Sequence, residues 1–182
     1  GNGTITSDDR QVIATPEPKF FGGWTNTFTY KNLSLSFLMQ FSCGGEAVYS
    51  NLGEEISGVL GQSVGRELYG NTWTPERTDA KYARLVAGTM SYNYMANDRF
   101  VFDTSYLRMK NITLSYSLPK AWINKLYLSN ASLFVTATNL FTITQWPGLD
   151  PETVATGITS MGTNNDPYPL SRSFSLGVKL QF

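Results

Sequence analysis

The stretch SRSFSLGVKLQF, residues 171–182, alternates strictly from residue 173 onward. Phe174, Leu176, Val178, Leu180 and Phe182 fall on one side, and Ser173, Ser175, Gly177, Lys179 and Gln181 on the other. A period of two marks a strand with one apolar face. Four earlier stretches alternate or are rich in strand-forming residues: 20–30, 33–43, 106–118 and 131–143. In the second, Leu33, Leu35, Phe37, Met39, Phe41 and Cys43 oppose Ser34, Ser36, Gln40 and Ser42, with Leu38 the one exception. In the third, Ile112, Leu114, Tyr116 and Leu118 oppose Asn111, Thr113, Ser115 and Ser117.

Each stretch is 11 to 13 residues long. Strands of soluble domains usually run about 5–6 residues, whereas a tilted strand needs about 9–11 to cross a bilayer. The connections alternate as well. Lys31-Asn32 is a two-residue turn, 44–105 is a long excursion, the link holding Pro119, Lys120, Trp122 and Lys125 is modest, and 144–170 is long again. Short turns at one end and long loops at the other are the habit of outer-membrane barrels. Aromatic residues gather at both strand ends: Phe20, Phe21, Trp24, Tyr106, Phe141 and Trp146 at one, Tyr30, Tyr116, Trp122, Tyr127 and Phe182 at the other. Two such belts suit the two interfaces of a membrane.

The pattern therefore predicts an all-β chain, a segment of a transmembrane antiparallel β-barrel with long extracellular loops. A soluble β-sandwich that binds glycans shows the same alternation with its apolar face turned inward, and it stands as the alternative. Five strands are too few to close a barrel, which takes about eight, and open edges are forbidden in lipid. Further strands are thus expected upstream. One short surface helix is expected over 54–68, where Ile56, Val59, Leu60, Val64 and Leu68 have helical spacing.

Composition narrows the chemistry. The chain has 14 basic and 14 acidic residues and no net charge, so no general basic field for nucleic acid is expected. It has no histidine, which removes His-dependent triads and most His-ligated metal sites. Cys43 is the single cysteine and reads as a small apolar strand residue. No apolar run reaches the roughly 18 residues of a spanning helix. The opening GNGTITSDDR has neither the basic region nor the apolar core of a signal peptide, so the natural start is expected elsewhere.

Four groups invite a chemical reading. Asp150 and Glu152 in LDPE have the composition of a glycosidase carboxylate pair, but they straddle Pro151 and read better as a rigid turn. TNNDPYP, residues 163–169, offers oxygen ligands in no calcium-loop spacing and is explained by turn chemistry. Arg99, Arg108 and Lys110 are read as rim charges or as partners of lipopolysaccharide phosphates. Trp73, Tyr92, Tyr94, Trp146 and Tyr168 lie in the long loops, where exposed rings stack on sugars or anchor a partner. No catalytic residue, metal ligand or cofactor site is expected, and the chain is not read as an enzyme.

Four stretches carry a resemblance: DDRQVIATPEPKFFGGWTNTFTYKNLSLSFLMQ, SYLRMKNITLSYSLPKAW, NASLFVTATNLFTITQWPGLDPE and YPLSRSFSLGVKLQF. In this order they resemble the C-terminal part of the SusC/RagA-type TonB-dependent outer-membrane transporters of Bacteroidetes. The resemblance covers essentially all of residues 1–182. It departs at Ala14, where family members often carry Gly.

The resemblance implies the last five strands of a plugged barrel of about 22 strands, with the plug and earlier strands outside this chain. It implies a multi-pass outer-membrane location and a SusD-like surface lipoprotein acting as a lid. It further implies oligosaccharide or peptide cargo, and energy delivered by TonB through the plug. Phe182 then resembles the C-terminal aromatic by which such barrels are recognised for assembly.

Overall fold

The alternating segments pair with one another. In the computed structural model, β1 (Phe20–Tyr30) and β2 (Leu33–Cys43) form a hairpin in register along its whole length, from Phe20 opposite Cys43 to Tyr30 opposite Leu33. Residues 6, 8, 10–49, 65–84, 98–154, 163–164 and 168–182 are described. The hairpin turns on Lys31, whose φ of 53° lies in the left-handed region, an uncommon conformation for a residue with a Cβ.

The chain divides into two compact units, Pro18–Gly44 with Ser105–Gln145 and Pro169–Phe182, and Gly1–Glu17 with Gly45–Thr104 and Trp146–Tyr168. The first, the sheet unit, is an antiparallel sheet. Besides β1 and β2 it holds β5 (Tyr106–Ser117), β6 (Asn130–Thr138), β7 (Thr142–Thr144) and β9 (Ser173–Gln181). The order is β1-β2-β5-β6-β9, with β7 paired to β5. Among the described residues β1 and β9 each pair on one side only.

Two irregularities refine the expected segments. Between β2 and β5 the register shifts, so that Leu38 faces Asn111 and Met39 faces Met109. Lys110 is the extra residue. A one-residue shift exchanges the faces, and it brings Leu107 and Met109 to the side of Ile112, Leu114 and Tyr116. The stretch 131–143 is likewise broken. β6 ends at Thr138, Asn139 takes a φ of 50°, and β7 resumes against Tyr106–Arg108. Asn tolerates this left-handed conformation better than most residues. The ladder is held across the break by Asn139 N–H to the Lys110 carbonyl at 3.0 Å and Leu140 N–H to the Met109 carbonyl at 3.0 Å.

At the short-turn end the connections knit together. Ser117 N–H donates to the Asn32 carbonyl at 2.8 Å, and Asn32 Nδ2 donates to the Ser117 carbonyl at 2.9 Å. The link between β5 and β6 opens on a single helical turn, Lys120–Ile123, that buries Ile123.

The second, the loop unit, is built from the long excursions. β3 (Glu46–Tyr49) pairs antiparallel with β4 (Val101–Asp103) and parallel with β8 (Thr163–Asn164). Its described residues form two small cores. Leu68, Tyr82 and Phe100 form one, and Ala47, Tyr49 and Trp146 form the other, with Phe102 and Val154 against it. Of the helix expected over 54–68, residues 54–64 lie outside the described residues. Arg66–Leu68 form a single 3-10 turn that buries Leu68.

Candidate functional site

The candidate site of the sheet unit is a pair of unlike faces. Pairing places Trp24, Phe28, Leu35, Phe37, Met39, Leu114, Val135, Leu176 and Val178 on one face, and most of these project as exposed rings and branched chains. Leu176 is 79% exposed. So many large apolar side chains exposed on one face are foreign to a monomer in water.

The opposite face is hydroxylic. One row runs across the whole sheet, Thr27 to Ser36 to Thr113 to Thr136 to Ser175. Thr27 Oγ1 donates to Ser36 Oγ at 3.2 Å, and the Oγ1 atoms of Thr113 and Thr136 lie 2.9 Å apart. The row below it is Thr29, Ser34, Ser115, Phe134 and Gly177. Phe134 is the aromatic intruder of that face, and a Cβ on Gly177 would fall on its ring, 2.7 Å from Cε1.

Charge is segregated between the units. Of the 14 basic residues, Lys19, Lys31, Arg108, Lys110, Lys120, Lys125, Arg172 and Lys179 belong to the sheet unit, leaving six for the loop unit. All 14 acidic residues belong to the loop unit. The neutral total of the composition conceals two strongly and oppositely charged halves.

The rim charges separate. Arg108 is 3% exposed and lies on the hydroxylic face, where Nε donates to Thr142 Oγ1 at 2.8 Å and the guanidinium lies 5.8 Å from the Tyr106 ring. Of the two readings of Arg108, rim charge or partner of lipopolysaccharide phosphates, the register disfavours the second, because it points the side chain away from the apolar side. Lys110 is half-buried at the bulge, and Arg99 is exposed in the loop unit.

The loop aromatics also separate. Trp146 is 5% exposed and meets Tyr49 and Phe102 edge-on, at centroid distances of 5.7 and 6.3 Å. The expectation that its ring is displayed is corrected; it is a core residue of the loop unit. Trp73 is half-buried beside the hydrogen bond from its own N–H to the Tyr82 carbonyl, and Tyr168 is 88% exposed. Tyr92 and Tyr94 lie outside the described residues. Phe182 is exposed at the end of β9, and its carbonyl accepts from Ser129 Oγ at 3.3 Å.

Asp150 is buried as the cap of the turn Pro151–Thr153. Its Oδ1 accepts from Glu152 N–H at 3.0 Å, and its carbonyl accepts from Thr153 Oγ1 at 2.8 Å. Glu152 supplies a backbone donor to this arrangement, which is a capping motif. Thr163 and Asn164 pair with Val48 and Tyr49, while 165–167 lie outside the described residues. Among the described residues no group of three or more His, Cys, Asp or Glu could hold a metal ion, and no helix is long and apolar enough to cross a membrane.

No protein-family model matches the chain. TonB-dependent receptor P3 of Formosa agariphila is 32% identical over 188 residues, covering 100% of this chain and 18% of the receptor. TonB-dependent receptor SusC of Bacteroides thetaiotaomicron is 32% identical over 184 residues, covering 100% of the chain and 17% of SusC. The chain belongs to the SusC-type TonB-dependent receptors. It spans about a fifth of the length of these relatives. The fold agrees: the structure of the RagAB peptide transporter superposes over 100% of the chain and 19% of its own, with a TM-score of 0.78 at 21% identity. Within a SusC-type receptor the unlike faces of the sheet acquire a natural reading, and both relatives carry the names of receptors, not of enzymes.

Proposed function

We propose that this chain forms the closing strands of the wall of a plugged outer-membrane barrel, together with the last extracellular loops. The whole protein imports oligosaccharides or peptides, works with a SusD-like surface lipoprotein, and draws energy from TonB through a plug outside this chain. The chain's own part is passive. It makes wall, loops and a share of the lid interface, and it breaks no bond.

The observation that carries this reading is the two-faced sheet. Strands of 11 and 12 residues present a mainly apolar surface on one side, interrupted at Asn26, and a side rich in Ser and Thr on the other. Lipid is the solvent for the first and a watery lumen for the second. In the alternative, a soluble glycan-binding sandwich, the apolar face would be packed against a second sheet. Here Phe174, Leu176 and Val178 project as exposed side chains, which favours the wall. The open edges of β1 and β9 support neighbouring strands on both sides, since lipid tolerates no unpaired backbone.

The loop unit supports the lid role. Of the loop rings expected to touch cargo or lid, Tyr168 is exposed and Trp73 half-buried, so both remain candidates for that contact. The test uses the full-length protein from detergent-solubilised outer membranes. The lipoprotein co-purifies with it, and deleting part of 69–97 lowers that recovery while the barrel still assembles. Recovery of the full-length protein as a monodisperse soluble monomer without detergent overturns the reading.

A further inference from the structure

We infer that the short-turn end of the sheet is a binding surface for anionic phospholipid headgroups, held by Lys31, Lys120 and Lys125 among exposed aromatic rings. The inference rests on the membrane-spanning reading and adds which lipid this rim selects.

The rim is one surface assembled from three parts of the chain. The Lys31-Asn32 turn is tied to the end of β5 through Asn32 and Ser117. The link after β5 is tied back by Leu118 N–H to the Ala131 carbonyl at 2.9 Å, and its far end by Ser129 N–H to the Gln181 carbonyl at 2.8 Å. Lys31, Lys120 and Lys125 are exposed on this rim. The sheet unit contains no acidic side chain to offset them. A chain with as many acidic as basic residues would, if evenly mixed, place several carboxylates in the sheet unit.

The aromatic setting specifies the kind of partner. The Lys31 ammonium lies 5.3 Å from the centroid of Tyr30. Trp122 is 61% and Tyr127 93% exposed in the link. Amphipathic rings of this kind settle at headgroup depth, and lysine stems reach past apolar surface to hold their charge there. The rim is also continuous with the apolar face, because Tyr30, Leu33, Tyr116, Leu133 and Val178 form the row next to it. An acidic protein partner would not require that continuity; a lipid leaflet does. Each lysine near an anionic leaflet contributes about fivefold in affinity, and a zwitterionic leaflet offers no such gain. The opposite end of the sheet differs, since the segments leaving it carry all 14 acidic residues.

The experiment reconstitutes the full-length protein into phosphatidylcholine vesicles with and without phosphatidylglycerol. Folding is read by heat-modifiable electrophoretic mobility, and retained lipid by native mass spectrometry. The wild type retains phosphatidylglycerol over phosphatidylcholine by at least about tenfold at low salt, and the preference shrinks as salt rises. Replacing Lys31, Lys120 and Lys125 together by Gln removes most of it, and replacing all three by Arg keeps it. Lys19→Gln with Arg172→Gln, at the other end, leaves it intact. Equal lipid retention by the triple Gln variant overturns the inference, as does equal loss in the Lys19/Arg172 control. Loss of an acidic protein partner with lipid retention unchanged also overturns it. Failure of the wild type to fold into either vesicle overturns the membrane reading itself, whereas folding in both without lipid preference overturns the lipid inference alone.

Discussion

The ring of Phe134 lies over the backbone of Gly177 on the hydroxylic face, where the two residues are directly paired between β6 and β9. A Cβ at Gly177 would stand 2.7 Å from Cε1 and 2.9 Å from Cε2 of that ring, closer than packed carbon atoms approach. The glycine and the phenylalanine explain each other. An aromatic side chain covers the bare backbone, and the missing Cβ leaves it room.

Gly177→Ala is therefore expected to destabilise the sheet. In an ordinary strand Ala would gain about 0.5–1 kcal/mol over Gly; here overpacking costs about 1–3 kcal/mol. Phe134→Ala frees the space, so Gly177→Ala placed in that background is neutral or favourable. Urea midpoints of the folded, heat-modifiable form measure all four members of the cycle. Additive losses in the double variant would refute the coupling.

Adjacent residues of β6 should respond oppositely to charge. Val135 projects on the apolar face and Thr136 on the hydroxylic one. Val135→Arg is expected to cost about 2–4 kcal/mol if that face meets the bilayer core, while Thr136→Arg is tolerated in a watery lumen. Outer-membrane levels of the two variants, compared in the full-length protein, measure this. Equal levels would remove the physical basis of the wall.

Much of this architecture is legible in the sequence because period-2 alternation is a local property. The β1–β2 hairpin follows from alternation and the Lys31-Asn32 turn alone. The bulge at Lys110 is not legible in that way. It appears in the sequence only as a change of parity between Met109 and Ile112, which reads as a lapse in the pattern until β2 is set beside it. Phe134 likewise looks misplaced until Gly177 is known to face it. Trp146 reads from sequence as a displayed ring, because a loop tryptophan gives no local sign of burial; its partners Tyr49 and Phe102 come from distant segments. The charge segregation escapes composition altogether, since summing the chain cancels the two units.

Trp146 and Tyr168 should differ in what they damage. Trp146→Ala empties a core and is expected to cost about 3–5 kcal/mol within the loop unit, seen as faster proteolysis of the loops. Tyr168→Ala, at an exposed ring, leaves protease resistance unchanged and is expected to weaken cargo or lid association. Binding assays on the purified complex separate the two; unchanged binding for Tyr168→Ala and Trp73→Ala would remove these rings from the interface.

Asp150 tests the distinction between a cap and an acid. Asp150→Ala is expected to cost about 0.5–2 kcal/mol through loss of the bond to Glu152 N–H. Asp150→Asn keeps an acceptor at the cap and loses less. Cargo uptake persists in both when expression is matched. Abolition of activity by Asp150→Asn, with protease resistance intact, would instead point to chemistry at this carboxylate.

Phe182 ends the sequence one residue beyond β9, with its ring exposed and only its carbonyl engaged, by Ser129 Oγ. Its packing in this chain is slight, so a purely structural role predicts little loss on truncation. An assembly role predicts the reverse. Phe182→Ala then lowers the folded barrel in outer membranes several-fold, while the fraction that does assemble keeps wild-type urea resistance. Quantitative blotting of heated and unheated outer-membrane fractions reads both quantities from one sample. A drop in resistance without a drop in amount would assign Phe182 to packing at the membrane interface and leave recognition to other parts of the last strand.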